Sequence, residues 1–302
     1  MKETFEESYL EVGNIDGKQL GMPWTMAAIT MVYNPEILSA AGWDEPPVTV
    51  EEFEQCMADI KAYDPEIIPY ALSTKDTTCG ADFVPWAWTF GGGIWDEEGN
   101  VIINNEAGVK ALDWYVDMLN KGYVTMDVGR SEARQMFAQG KVAFYDDAVV
   151  AKSQIISNGV APADVVNVCS AMLRPVEKEG DKPQAVQWGG MLVIYEKSEY
   201  KEQAAELAKI LNSDEIALYY FENGGMPPVT KSAAANETVK NDPYINTFIE
   251  STATARLEET ARMTNANEIK TILTEEIQFA LLGQKTSQEA LDDAAARIEA
   301  AG

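Results

Sequence analysis

Apolar positions along this chain recur at two alternating periods, and glycine and proline mark the changes between them. Gly17–Tyr33 opens on an Asp16-Gly17 turn and then runs apolar and β-branched through Ala28-Ile29-Thr30-Met31-Val32-Tyr33, which predicts one or two strands. Asn34-Pro35 follows. An asparagine side chain accepts from a free helix N–H, and proline at the first helical position loses no needed donor. Pro35–Ala41 is therefore predicted as a short helix ended by Gly42. Thr49-Val50-Glu51-Glu52 is a capping box, and Phe53, Cys56, Met57 and Ile60 hold helical spacing behind it as far as Pro65. Val109, Leu112, Val116 and Leu119 define another amphipathic helix closed by Gly122. Glu132–Gln139 reads as a helix, and Val142–Tyr145 as a strand ending in Asp146-Asp147.

Val165–Met172 is a further strand candidate, and the apolar run Met191–Tyr195 reads as a strand covered on both faces. Ala204, Leu207, Ala208 and Leu211 follow the i, i+3, i+4, i+7 pattern. Ile269, Ile272, Leu273, Ile277, Ala280 and Leu281 form an apolar stripe before Gly283. Thr286-Ser287-Gln288-Glu289 is a second capping box, opening a last helix with Leu291, Ala294, Ala295 and Ile298 inward. Single strands alternating with helices predict an α/β fold with mostly parallel strands. No repeat, low-complexity tract or Gly/Ser/Pro-rich hinge divides the chain.

Composition narrows the chemistry. The chain has 302 residues, 46% hydrophobic, which suits a packed globular core. It contains no histidine, which removes Ser-His-Asp and Cys-His relays and the H-E-x-x-H zinc site. A formal net charge of −26 repels phosphate backbones and anionic lipid, so neither nucleic acid nor a membrane surface is an expected partner. Cys56, Cys79 and Cys169 are odd in number and lack C-x-x-C spacing, so they read as small buried thiols, not as a disulfide framework or metal site. No cofactor signature is present: Gly140-Lys141 and Gly17-Lys18 are not followed by Ser or Thr, and Gly91-Gly92-Gly93 does not fit G-x-G-x-x-G. Asp146-Asp147 reads as a cap or turn at a strand end, because neighbouring strand residues face opposite ways.

The tryptophans are more informative. Trp24 follows Gly21-Met22-Pro23, Trp86 and Trp88 precede Gly91-Gly92, and Trp188 precedes Gly189-Gly190. Indoles beside loop glycines can offer flat apolar faces on which sugar rings stack, while carboxylates bind the hydroxyls. Each is equally readable as core. Trp43, Trp95 and Trp114 are assigned to structure.

The order of motifs resembles the extracellular solute-binding proteins of ABC sugar importers, of the maltose-binding-protein type. The landmarks are Asp16-Gly17-Lys18-Gln19-Leu20-Gly21-Met22-Pro23, Val32-Tyr33-Asn34-Pro35, Pro46-Pro47-Val48-Thr49, Met136-Phe137-Ala138-Gln139-Gly140-Lys141, Gly189-Gly190 and Gly224-Gly225-Met226-Pro227-Pro228. The resemblance implies a two-lobed periplasmic-binding-protein-like (type II) α/β fold. A ligand sits between the lobes and no reaction is catalysed. The partners it implies are a small-molecule carbohydrate and the membrane permease subunits of an importer. It places the protein outside the cytoplasm, as a cell-surface lipoprotein or in the periplasm. Nothing in the sequence calls for an oligomer, so a monomer is expected. The first landmark comes early, which implies an incomplete N-terminal lobe. On this basis residues 1–22 and 190–236 are expected to form a partial N-terminal lobe, and 23–189 and 237–302 the C-terminal lobe.

The same resemblance nominates Trp24, Asp82, Trp86, Trp88, Asp146, Asp147, Trp188 and Gly189 as ligand contacts, with Trp188 at the second crossing between lobes. Val149 stands where a tryptophan is common in that family. Alternative readings are a non-sugar solute on the same fold, a carbohydrate-active enzyme with paired carboxylates, and an adhesin without a small-molecule cleft. A phosphate ligand wants an Arg or Lys cluster, and Lys75 and Lys152 are isolated, so none is expected near the cleft.

Overall fold

A computed structural model describes residues 1–302. The chain opens with helix α1 (Glu7–Val12), the hairpin β1 (Asn14–Ile15) and β2 (Lys18–Gln19), and the long strand β3 (Met22–Tyr33). Next come α2 (Pro35–Ala40), α3 (Val50–Tyr63), β4 (Ile68–Tyr70), α4 (Asp76–Thr89), α5 (Glu106–Asn120) and α6 (Arg130–Ala138). The middle of the chain forms β5 (Val142–Asp147), α7 (Ala151–Ser157), α8 (Val165–Val168), β6 (Ser170–Met172) and β7 (Val186–Leu192). The rest is helical: α9 (Lys201–Leu211), α10 (Asp214–Gly224), α11 (Lys231–Ala234), α12 (Glu237–Lys240), α13 (Pro243–Thr254), α14 (Ala266–Leu281) and α15 (Ser287–Ala301).

The local start signals act as read. Asn34 Oδ1 accepts from the Glu36 and Ile37 N–H groups at 3.0 and 3.2 Å, with Pro35 at the first position. Thr49 and Glu52 cap each other reciprocally, as do Thr286 and Glu289. Replacing Thr49 by alanine removes an acceptor for the Glu52 N–H and is expected to cost about 1 kcal/mol, read as a lower denaturant midpoint at unchanged slope.

Strand direction differs from expectation. β3 is the organising strand of a five-stranded mixed sheet, ordered β4-β5-β3-β6, with β7 pairing the earlier part of β3. Only β4 and β5 run parallel; β3 is antiparallel to β5, β6 and β7. Intervening helices make connections long enough for either direction, so alternation alone does not set strand sense. Val165–Met172 also divides into α8 and β6 instead of one strand. The Met191–Tyr195 run is not a doubly covered strand. β7 begins earlier, stops at Leu192, and leaves Val193, Ile194 and Tyr195 exposed. β7 pairs with β3 on one side, and on the other makes only the isolated Val186↔Arg256 bridge.

One face of the sheet packs against α3, α4, α5, α14 and α15 through a core that includes Phe53, Trp86, Trp114, Phe144 and Ile277. A second core on β5 and the opposite side of β3, around Val32, Phe137, Tyr145 and Phe248, takes in α6, α7, α10 and α13. Phe5, Leu10, Met26 and Val229 form a small third core joining the start of the chain to the segment before α11. All three cysteines are buried free thiols. No helix is long and apolar enough to cross a membrane.

Candidate functional site

Helix α6 carries Arg130 and Arg134 one turn apart, so both guanidiniums project from one face. Both find a carboxylate. Arg130 Nη2 donates to Asp82 Oδ1 and Oδ2 at 2.7 and 2.9 Å, and its Nη1 donates to the Asp146 carbonyl. Arg134 Nε and Nη2 donate to the two oxygens of Asp147 at 2.8 and 2.7 Å. Asp82 comes from α4 and Asp147 from the end of β5, so these pairs tie three elements together. Asp82 also accepts from Ser73 Oγ, and Asp147 accepts from the Ala148 N–H at 2.8 Å.

These four charged groups line a cavity of about 300 Å³ with Trp188 and Glu258. Trp188, on β7, is 37% exposed and leaves part of its indole open. Glu258 enters from the segment between α13 and α14, held by Lys270 Nζ at 2.6 Å and by Thr260 Oγ1 at 3.1 Å. Its neighbour Glu259 fixes that segment: Oε2 accepts from the Ile94 and Trp95 N–H groups at 2.8 and 3.1 Å, and Oε1 from Trp88 Nε1. Burial raises the pKa of Asp82 against the pull of Arg130. The hydrogen bonds that Arg134 donates to Asp147 hold its guanidinium more firmly charged than a free arginine.

Other hollows differ in make-up. One of about 420 Å³, around Leu20, Met22, Val193 and Leu207, is almost wholly apolar. A larger one, about 680 Å³, lies between α7 and α13, but the Tyr244 ring there is covered by Lys152 Nζ at 4.1 Å. A site that orients a polar ligand needs convergent polar groups beside an open apolar face, and the Trp188 cavity meets that requirement.

The nominated residues therefore separate. Asp82, Asp147 and Trp188 share the cavity. Gly189 adjoins it in sequence, but its lack of a side chain serves strand packing: a Cβ there would lie 1.9 Å from the Thr25 carbonyl oxygen. Trp24 sits at an irregularity in the β3–β7 register and stacks on Tyr220, with ring centres 5.9 Å apart, outside the cavity. Trp86 is fully buried, stacked on Trp114 at 4.3 Å, and offers no face to a ligand. Trp88 is buried beneath Arg256. Asp146 is buried and faces away from Asp147, pairing with Arg174 and Tyr70. The Asp146-Asp147 pair is thus neither a cap nor a turn but two oppositely directed buried carboxylates on β5. Four polar cavity residues were missed: Thr78, Arg130, Arg134 and Glu258. The expectation of no cationic cluster is overturned by Arg130 and Arg134. Their four-residue spacing ahead of Met136-Phe137 was the available signal.

Residues 2–247 match the family model described as bacterial extracellular solute-binding protein. The chain belongs to that family. Relatives of this solute-binding protein include a binding protein of Brucella abortus, 26% identical over 306 residues, which span 99% of this chain and 72% of the relative. The sn-glycerol-3-phosphate-binding periplasmic protein of Brucella melitensis is 24% identical over 303 residues, 95% of this chain and 68% of that one. Maltose-bound MalE3 of T. maritima superposes with a TM-score of 0.82 at 23% identity, covering 98% of this chain and 76% of that chain. The solute-binding protein therefore has the two-lobed MalE-type α/β fold.

Proposed function

We propose that this protein captures a sugar or oligosaccharide between two lobes outside the cytoplasmic membrane and delivers it, without chemical change, to the permease subunits of an ABC importer. Residues 1–22 with 190–236, and 23–189 with 237–302, are the proposed lobe contributions, although Phe221 and Met226 pack into the second core. The observation that carries the reading is the Trp188 cavity. A part-exposed indole stands beside carboxylates and guanidiniums, which suits a ligand with an apolar ring face and a hydroxyl rim.

A thermal-shift screen against mono- and oligosaccharides tests it. A ligand at 100 times its Kd stabilises the folded state by about 2.7 kcal/mol. Trp188→Ala is expected to weaken that ligand about tenfold. Turnover of a chromogenic glycoside, or no response to any carbohydrate, would reject the reading. A second reading, a phosphorylated polyol, is favoured by the two cavity arginines and by the sn-glycerol-3-phosphate-binding relative.

A further inference from the structure

The two ligand classes differ in charge, and the cavity's ion pairs bear on which is admitted. Two guanidiniums on one helix face would by themselves make an anion site, since the planar fork matches phosphate as well as it matches carboxylate. Here each guanidinium already has its carboxylate: Arg130 Nη2 donates to both oxygens of Asp82, and Arg134 Nε and Nη2 grip Asp147 as a fork. The remaining Nη1 of Arg134 reaches Gln154 Oε1 at 3.3 Å, and Arg130 Nη1 is bound to the Asp146 carbonyl. At the start of α6 the Glu132 carboxylate already caps the Gly129 N–H at 3.1 Å and adds negative charge there. The third cavity carboxylate, Glu258, is matched by Lys270. The cavity therefore contains charge but presents no unbalanced cation.

We infer that Asp147, with Asp82 beside it, sets the charge specificity of this site by occupying Arg134 and Arg130, so that the cavity takes uncharged, hydroxyl-rich ligands and excludes phosphorylated ones. This rests on the proposed reading that the Trp188 cavity is the ligand site. A phosphate group carries about −1.5 to −2 charges at neutral pH. To bind, it must displace a carboxylate that is itself buried and has nowhere to go. A hydroxyl meets no such conflict. An ionised carboxylate has about four lone-pair sites. Asp82 uses three, on Arg130 twice and on Ser73, and Asp147 uses three, on Arg134 twice and on the Ala148 N–H. One acceptor site on Asp82, whose side chain is the less covered of the two, is left for a sugar hydroxyl, while Asp147 serves to neutralise Arg134. The formal charge of −26 over the whole chain acts in the same direction. Asp147 is the stronger lever, because its partner Arg134 is the more exposed of the two arginines.

The test uses the whole chain, titrated with inorganic phosphate and with glycerol 3-phosphate, read by calorimetry and by tryptophan fluorescence. The wild-type protein is expected to show no saturable binding of either anion. Asp147→Asn keeps the shape of the side chain but frees Arg134, and is expected to gain affinity for both anions by about tenfold or more. The double variant Asp147→Asn with Arg134→Gln should lose that gain. If circular dichroism shows Asp147→Asn to be unfolded, Asp82→Asn, which frees Arg130, is titrated instead. Saturable anion binding by the wild type overturns the inference, as does a folded variant that gains none. Failure of the sugar reading is separate: it appears as absence of any neutral-carbohydrate response in the wild type, whatever the phosphate titrations show.

Discussion

Asp146→Ala is expected to cost about 3–5 kcal/mol of folding stability, among the largest losses available to a single side chain here. Asp146 accepts from Arg174 Nη2 and from the Tyr70 hydroxyl, and Tyr70 in turn accepts from Trp86 Nε1 at 3.1 Å. The Arg174 guanidinium is buried over the Trp86 ring, 5.0 Å from its centre. It has one further bond, Nε to the Gln184 carbonyl at 3.3 Å, and its Nη1 has no partner. Deleting the carboxylate leaves an uncompensated charge in the first core, where water cannot replace the lost partner. Denaturant unfolding should show a lower midpoint with little change in slope. The double variant Asp146→Asn with Arg174→Met removes both charges and keeps an acceptor for Tyr70, so it is expected to recover most of the loss. A loss below about 1 kcal/mol for Asp146→Ala, the scale of an exposed pair, would show that this network is not the anchor described.

Gly189→Ala is the second large effect, and its cause is geometric. Gly189 pairs with Met26 across the β3–β7 ladder at a φ of 152°. An added Cβ would stand 1.9 Å from the Thr25 carbonyl oxygen and 2.9 Å from Met26 Cα. Both obstacles are backbone, so relief requires the two strands to part. Overpacking and backbone strain each cost about 1–3 kcal/mol, which sets the expected loss at about 2–6 kcal/mol. Amide exchange should rise along β3 and β7 before it rises in the main cores. Gly190→Ala is the control: its nearest neighbour is the movable Thr25 Oγ1 at 3.2 Å. Equal losses for the two variants would refute the close-approach explanation.

The parts of the fold legible in the sequence are those set within one or two helical turns. Asn34, Thr49 and Thr286 cap the helices they precede because a cap involves only residues two or three positions away. Helix faces were nearly as legible; in α5 the fully buried side centres on Leu112, Tyr115 and Met118, with Val109, Val116 and Leu119 at its margin. Strand direction, and which edge of β7 is covered, depend on partners seventy or more residues away, and local pattern carried neither.

For the site, resemblance of motif order led to Asp82, Asp147 and Trp188, but also to Trp86, Trp88 and Asp146, which lie outside the cavity. Residue type could not separate these groups. Asp146 and Asp147 are chemically identical neighbours, and only the alternation of β5 between two different cores sends one to Arg174 and the other to the cavity.

By itself, the sequence determined the helices with clear caps or apolar stripes, the absence of histidine chemistry and the motif order shared with a family of solute-binding proteins. These are properties of residue type and short spacing. Only the tertiary structure decided that Arg130 and Arg134 meet Asp82 and Asp147 around a tryptophan face, and that Trp86 belongs to the core. Those outcomes depend on long-range packing, since a side chain's role follows from what surrounds it once α4, α6, β5 and β7 have come together.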